Sequence, residues 1–323
     1  MQNTKVIQKI IWAIDALEES GALQEHTLDA LRFLVRTTRA KVEPVYIFSP
    51  SQMDLSVEFT GPCAENFRPA AQSVIEDLVD RANIPGIGEP KVLIQHLPTI
   101  RQMVHALESH ARMENADLIL LNTHARKGVA RMLMGSFAET LILHSRVPVL
   151  VVGPGSRAIQ NFDEIIFPTD FGPQSRANFR YVVNLAKEFN SKVLIFHSVV
   201  NTLDSVIESG ANLLGGSWVP VRNIFDQSVE RRHWRAEKWA EWATNQGVPT
   251  EVLMRDEGGS VSDQVLEIAV NRNSGLIAMA AQMGPFASTV IGSITRQVVR
   301  DASCPVWVLH HVPYEKSVFG KAA

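Results

Sequence analysis

The chain repeats one phrase of sequence at a fixed distance. The segment MGSFAETLILHSRVPVLVV begins at Met134, and the segment IGSITRQVVRDASCPVWVL begins at Ile291. Their Gly-Ser pairs are 157 residues apart (292 − 135), and their Pro-Val pairs are separated by the same distance (305 − 148). A repeat of this period in a chain of 323 residues predicts two related domains of about 150 residues each.

Both halves alternate short apolar runs with amphipathic stretches, which is typical of strands joined by crossover helices. The predicted strands are 10–14, 42–48, 91–95, 117–121, 147–152, 164–167, 192–197, 251–254, 276–280 and 306–309, and the predicted helices are 22–39, 66–83, 99–114, 136–145, 174–189, 226–246, 260–272 and 293–302. The Gly-Pro-Gly-Ser segment at 153–156 predicts a linker, with domains at 1–155 and 156–323. We predict an α/β fold of two tandem domains, each a five-stranded, mainly parallel sheet with helices on both faces.

Charge and hydrophobicity limit the class of partner. The formal net charge of −3 gives no basic surface for nucleic acid, so no nucleic-acid partner is predicted. The sequence contains no uninterrupted apolar run of about 18 residues, so no membrane-spanning helix is predicted either. The two cysteines, Cys63 and Cys304, cannot form a disulfide framework and fit a reducing compartment. Since the first residues also lack a signal-peptide pattern, we expect a cytoplasmic protein.

Ligands of such sheets bind beyond the carboxyl ends of the strands, where three loops of each half should converge. In the first half these loops contribute Asp15, the segment 122–128 and Gly135-Ser136. In the second half they contribute Thr169-Asp170, the segment 280–284 and Gly292-Ser293.

A Gly-Ser pair at a helix start has two interpretations. Glycine lets an anion approach the outward N–H groups of the first turn, and the serine hydroxyl adds a donor. Alternatively, Ser136 and Ser293 cap their own helices. Asp15 and Asp170 are similarly open, because each suits either a helix cap or a contact to a ribose hydroxyl or a metal-bound phosphate.

Two longer segments resemble a known family. DLILLNTHARKGVARMLMGSFAETLILHSRVPVLVV and IIFPTDFGPQSRANFRYVVNLAKEF resemble the universal stress proteins, as do the two halves as a tandem pair. The resemblance implies a Rossmann-like fold and, as in many members, ATP binding with Mg²⁺ through a G-x2-G-x9-G-[ST] loop. Backbone contacts to adenine map onto Ile47 and Ser198. The implied nucleotide contacts are Asp15, Ile47, Asn122, His124, Ala125, Gly128, Gly135, Ser136, Thr169, Asp170, Ser198, Gly292, Ser293, Ile294 and Thr295.

Neither half keeps the loop motif intact. Asn122 and Ala125 occupy the first two glycine positions of the first copy, and Ala280 and Met283 occupy them in the second. A side chain at these positions narrows the approach of a phosphate to the backbone. Three hypotheses therefore stay open: an adenine-nucleotide-binding stress or regulatory protein, a ligand-free scaffold that acts through protein partners, and, last, an enzyme. No catalytic or zinc-binding pattern is present, so at most slow ATP hydrolysis is expected.

The remaining expectations concern contacts. Family members often dimerise through their last strand, so the strands ending near Val152 and Leu309 should pair as an intramolecular pseudo-dimer, and a homodimer is a further option. His310 is expected at the surface. Three tryptophans of one predicted helix, Trp234, Trp239 and Trp242, favour core packing or an interface over base stacking. The segment 203–225 is expected to be a long loop.

Overall fold

The computed structural model describes residues 6–14, 22–48, 66, 68–95, 99–123, 136–172, 175–199, 211–212, 218–219, 221–256, 259–281 and 292–310. No helix in these ranges is long and apolar enough to cross a membrane.

Strands and helices alternate in both halves. The first half contains β1 (Lys9–Ile14), α1 (Ala22–Thr38), β2 (Lys41–Phe48), α2 (Arg68–Ala82), β3 (Lys91–Ile94), α3 (Ile100–Met113), β4 (Leu118–Asn122), α4 (Ser136–His144) and β5 (Val149–Val152). The second contains β6 (Glu164–Pro168), α5 (Ser175–Phe189), β7 (Lys192–Ser198), β8 (Ala211–Asn212), β9 (Trp218–Val219), α6 (Val221–Asn245), β10 (Thr250–Arg255), α7 (Val261–Asn271), β11 (Leu276–Ala280), α8 (Ser293–Asp301) and β12 (Val306–Leu309).

The two halves share one ten-stranded sheet, in the order β10-β7-β6-β11-β12-β5-β4-β1-β2-β3. Within each half every strand pairs in parallel with its neighbours. At the centre, β12 pairs antiparallel with β5, and Trp307 lies opposite Leu150. The predicted fold class and the predicted pairing of the two last strands are therefore confirmed.

Helices cover both faces of this sheet. The helices α1, α2, α5 and α6 pack on one face, and α3, α4, α7 and α8 pack on the other. Along β7, Val193 and Ile195 belong to the first core, whereas Leu194 and Phe196 belong to the second. Burial on both faces explains why these strands are unbroken apolar runs in the sequence.

Polar caps set the start of two helices. Thr99 accepts a hydrogen bond from the third residue of the α3 turn, and Ser260 does the same for α7. The apolar face of α3 is buried at Val104, Leu107 and Ala111. Ile100, in the first turn of the helix, lies beyond the core and is 38% exposed.

The region before β10 differs from the prediction. Helix α6 begins at Val221 rather than at 226, and the short β8–β9 hairpin lies inside the segment expected to be a loop. Trp239 stacks on Phe179 with ring centroids 5.1 Å apart, and Trp242 packs against the same ring. These two tryptophans are partly buried and pack against the core, whereas Trp234 is 60% exposed.

His310 contradicts its predicted surface position. Its ring is buried beside α4 of the first half, and Nε2 donates a hydrogen bond to the Ile142 carbonyl at 2.6 Å. Gly153 holds the equivalent place in the first half, where an added Cβ would lie 3.2 Å from the Val299 carbonyl oxygen. The pairing of the two halves buries His310, which a local pattern cannot show.

An ion pair recurs at the amino edge of the sheet with its charges exchanged. In the first half, Lys9 at the start of β1 contacts Glu114, which caps the C-terminus of α3. In the second half, Glu164 at the start of β6 contacts Arg272, the C-cap of α7, at 2.8 Å. The two halves therefore conserve the contact and reverse its polarity.

Candidate functional site

The carboxyl edge of the second half-sheet contains most of the predicted site that can be described. Five predicted residues of the first half lie outside the described residues: Asp15, His124, Ala125, Gly128 and Gly135. The described first-half positions are Ile47, Asn122 and Ser136, which lie in β2, at the end of β4 and at the start of α4. Ile47 is buried in the core, whereas Ser136 is exposed.

A tight turn follows β6. Asp170 Oδ1 accepts hydrogen bonds from the Gly172 N–H at 2.8 Å and from the Ser175 hydroxyl at 2.7 Å. Since Ser175 opens α5, this carboxylate orders the turn that leads into the helix, although its hydrogen bonds go to Gly172 and to a hydroxyl rather than to a helical N–H group. The Asp170 side chain is nevertheless exposed, so it also faces solvent at the sheet edge.

The residue before Asp170 fixes the path of this turn. The Thr169 hydroxyl oxygen accepts a hydrogen bond from the Phe171 N–H at 3.0 Å. Phe171 adopts a left-handed conformation with φ of 57°. Its ring lies 5.1 Å from Trp239 and 5.2 Å from His197, and these packing contacts hold a backbone that a phenylalanine seldom adopts.

Ser198 ends β7 at the same edge. It is 8% exposed, and its hydroxyl has no hydrogen-bond partner among the described residues. A buried hydroxyl without a partner costs about 1–3 kcal/mol. The sequence placed an adenine contact through the backbone at this residue, and the structure adds an unused side-chain donor.

Helix α8 begins without a side-chain cap. Gly292 is its N-cap and makes no side-chain bond, and Ser293 is its first helical residue. Ser293 is therefore not the N-cap of its own helix, which was the alternative interpretation of the Gly-Ser pair. The N–H groups of Ser293, Ile294 and Thr295 lack intrahelical acceptors because they belong to the first turn.

The side chain of Thr295 serves the fold. Its side chain is fully buried, and its hydroxyl donates to the Ala280 carbonyl at 3.1 Å. This hydroxyl therefore ties α8 to the end of β11. Only the backbone N–H of Thr295 stays suited to the predicted ligand contact. Ser293 is exposed, and Ile294 packs partly against the core.

His197 lies beside Ser198 but on the opposite face of the sheet. Its Nδ1 is 2.7 Å from the Thr169 carbonyl oxygen, and its Nε2 is 3.4 Å from Arg232 Nη1. Burial lowers the pKa of His197, although the hydrogen bond to Thr169 opposes this effect. The ring is therefore neutral at pH 7, with Nδ1–H as donor and Nε2 as acceptor.

A second polar grouping lies at the opposite edge of the sheet. Ligand atoms of Glu43, His110 and Glu114 lie within 4.8 Å of one another, a spacing that suits a metal ion. Lys9 Nζ bonds both carboxylates, and His110 Nε2 lies 2.8 Å from Glu43. These contacts compensate the negative charge internally, so the grouping serves as an ion-pair network.

The second-half carboxyl edge thus combines the first-turn N–H groups of α8, the buried Ser198 hydroxyl and the Asp170 carboxylate on a parallel α/β sheet. This arrangement places the chain in the class of tandem Rossmann-like α/β proteins. The family model of the universal stress protein family matches residues 7–153 and 161–310. The chain belongs to the universal stress protein family.

Individual relatives agree with this membership. A universal stress protein of Methanocaldococcus jannaschii is 25% identical over 150 residues, which are 46% of this chain and 82% of that protein. A universal stress protein structure from Archaeoglobus fulgidus matches with a TM-score of 0.62 and 15% identity, covering 95% of this chain and 97% of its own. A functionally unknown protein from Pseudomonas aeruginosa matches with a TM-score of 0.61 and 10% identity, covering 95% and 94%. The two structures share the tandem fold with this chain.

Proposed function

We propose that this chain is a stress-response or regulatory protein that binds ATP or a related adenine nucleotide in at least one of two domains, 1–155 and 156–323. The observation that carries the proposal is the start of α8, where Gly292 leaves the first-turn N–H groups without a side-chain cap. Such a helix start attracts a phosphate because the N–H groups point outward and carry partial positive charge.

The surrounding residues fit a nucleotide at this edge. The Ser198 hydroxyl is a buried polar group in need of a partner, which an adenine or ribose group would supply. The exposed Asp170 carboxylate suits a ribose hydroxyl or a Mg²⁺ ion bound to the phosphates. In the first half the corresponding proposal rests on the sequence resemblance alone.

Binding is favoured over turnover. His197 is a described histidine at this edge, but burial lowers its pKa and both of its ring nitrogens are engaged. A general base needs a free acceptor within reach of the attacking water. We therefore infer at most slow ATP hydrolysis.

We also place the protein in the cytoplasm, because the buried free thiol of Cys304 suits a reducing compartment.

Nucleotide release tests the proposal. Purified protein is denatured, the supernatant is analysed for adenine nucleotide, and stripped protein is titrated with ATP and Mg²⁺ by calorimetry. We expect either released nucleotide or saturable heat. Absence of both would refute nucleotide binding. Gly292→Leu tests the helix start, since a bulky side chain there should weaken ATP binding while circular dichroism stays unchanged.

A ligand-free scaffold is the second candidate function. The side chains at the glycine positions of the loop, Ala280 and Met283 in the second half, favour it, because they narrow the approach of a phosphate to the backbone. A scaffold predicts that Gly135→Leu and Gly292→Leu leave partner capture unchanged. If both variants stay folded but lose function, the scaffold hypothesis is wrong.

A further inference from the structure

Helix α6 is an addition of the second half to the carboxyl edge of the sheet. It has 25 residues, whereas the corresponding α2 has 15. Because α6 leads into β10, which is parallel to β7, it runs from the carboxyl edge towards the amino edge. Arg232 contacts His197 near the end of β7. Eleven helical residues precede Arg232 in α6, which corresponds to about 16 Å of helix. The helix therefore begins beyond the carboxyl edge of the sheet, where ligands of such folds bind.

Arg232 is held by a neutral group. A carbonyl oxygen only accepts hydrogen bonds, so His197 must donate through Nδ1 to Thr169 and accept through Nε2 from Arg232. No carboxylate in the described part of the chain forms an ion pair with Arg232. The guanidinium is partly buried, and its charge is not neutralised by these neighbours.

Arg232 reaches the carboxyl edge of the sheet through His197, near the end of β7. The carbonyl that orients His197 belongs to Thr169, the residue before Asp170. Ser198, whose hydroxyl has no partner among the described residues, follows His197 at the same strand end, on the other face of the sheet. The best partner for the Arg232 guanidinium is an anionic group, because a planar guanidinium can donate two parallel hydrogen bonds to phosphate oxygens.

In the described ranges, the first half shows no equivalent of the His197–Arg232 contact. Tyr46 holds the position of His197, since both are the sixth residue of their strands. Among the described residues, the side chain of α2 that reaches a neighbouring strand backbone is Arg68, which donates to the Val92 carbonyl of β3. Among the described residues, the contact of a helix arginine with a histidine of the second strand is therefore found in the second half.

We propose that Arg232 binds a phosphoryl group of the adenine nucleotide in the second domain. It would supply there the anion contact that Ala280 and Met283, at the glycine positions of the loop, make less accessible to the backbone. This inference rests on the proposed function and adds its recognition residue. The part of the nucleotide affinity that depends on phosphate charge is then due to Arg232 of α6.

Calorimetry with ATP and with adenosine, at pH 7.5 and with Mg²⁺, tests the assignment. Arg232→Gln should weaken ATP binding at the second-domain site by about tenfold or more, since a hydrogen bond to a charged group is lost. Adenosine, which has no phosphate, should change by less than about twofold. Arg232→Lys keeps the charge but loses the planar fork, so ATP should weaken by about threefold or more.

Arg235→Gln is the matched control, because it removes the same charge from an exposed position of the same helix. It should bind ATP like the parent.

If the parent binds ATP and Arg232→Gln leaves the isotherm unchanged, this inference is wrong and the proposed function stands. An equal loss of ATP and adenosine affinity would also overturn it, by showing a structural role. A parent protein without any ATP binding refutes both. If Arg232→Gln does not fold, parent-like ATP affinity in Arg232→Lys overturns the assignment.

Discussion

The buried ion pair of Glu164 and Arg272 gives the sharpest stability prediction. Glu164 is 3% exposed, and its carboxylate accepts hydrogen bonds from Arg272, from Lys192 at 3.1 Å and from the Ser274 hydroxyl at 2.6 Å. Glu164→Gln keeps the shape of the side chain and removes its charge. Arg272 retains its contact with Glu251, so it is not left unpaired.

The expected loss follows from these contacts. A hydrogen bond to a charged group contributes about 1.5–3 kcal/mol, and breaking a buried pair on one side costs about 3–5 kcal/mol. Because Arg272 keeps a second carboxylate, we expect Glu164→Gln to lower the free energy of unfolding by about 3 kcal/mol. Arg272→Gln should cost a similar amount. The double variant should lose about 2 kcal/mol less than the sum of the two single variants, because the pair is already broken in each.

Urea unfolding followed by tryptophan fluorescence is the suitable assay. Trp12 is the only tryptophan before residue 155, so the signal reports mainly on the second half, which contains Trp218, Trp234, Trp239, Trp242 and Trp307. Glu241→Gln, in the exposed pair with Lys238, is the control and should leave the midpoint unchanged. Parent-like stability of Glu164→Gln, or strict additivity in the double variant, would refute the reasoning.

The same pair predicts a pH dependence. Burial raises the pKa of Glu164, but the hydrogen bonds from Arg272, Ser274 and Lys192 outweigh this effect and hold the pKa below its ordinary value of 4.5. A carboxyl group with a lowered pKa stabilises the fold above its ordinary value and loses this contribution as the pH falls through the lowered one. The difference between parent and Glu164→Gln should therefore shrink below about pH 4.5.

Three further substitutions test other parts of the structure. Ser198→Ala removes a buried hydroxyl without a described partner, so thermal unfolding should show unchanged or slightly higher stability while calorimetry shows weaker ATP binding; a clear loss of stability would contradict this. Burial lowers the pKa of His310 despite its backbone hydrogen bonds, so the stability of the parent should fall as the pH drops below about 6.5. In chemical unfolding at pH 5.5 and 7.5, His310→Asn should show a smaller difference in stability between the two pH values than the parent. Gly275→Ala would bring a Cβ within 2.7 Å of the Asn161 carbonyl oxygen and should cost about 1–3 kcal/mol, whereas Gly88→Ala, with no contact under 3.4 Å, should be tolerated.

The fold was predictable because its signals are local and repeated. Each buried parallel strand is an apolar run, and the Thr99 and Ser260 caps stand directly before their helices. The repeat distance itself indicated that β5 and β12 are equivalent edges. Family resemblance then made their pairing the natural expectation, and the structure shows it.

The missed features depend on contacts between distant segments. Arg232 is one of several arginines in a charged helix, and nothing in its neighbourhood in the sequence distinguishes it from Arg235. Only the pairing of α6 with the end of β7 makes it a candidate ligand contact. The burial of His310 likewise requires the other half of the chain, and the inward hydroxyl of Thr295 requires the end of β11.

The exchanged ion pair at the amino edge has unequal consequences for the two halves. A helix macrodipole places partial negative charge at its C-terminus, where a cation gains about 0.3–1 kcal/mol and an anion loses a similar amount. Arg272 therefore reinforces the end of α7, whereas Glu114 opposes the end of α3 and depends on Lys9 to offset the repulsion. The last turn of α3 should fray more readily than that of α7, and high salt, which screens Lys9, should widen the difference in amide exchange between the two helix ends.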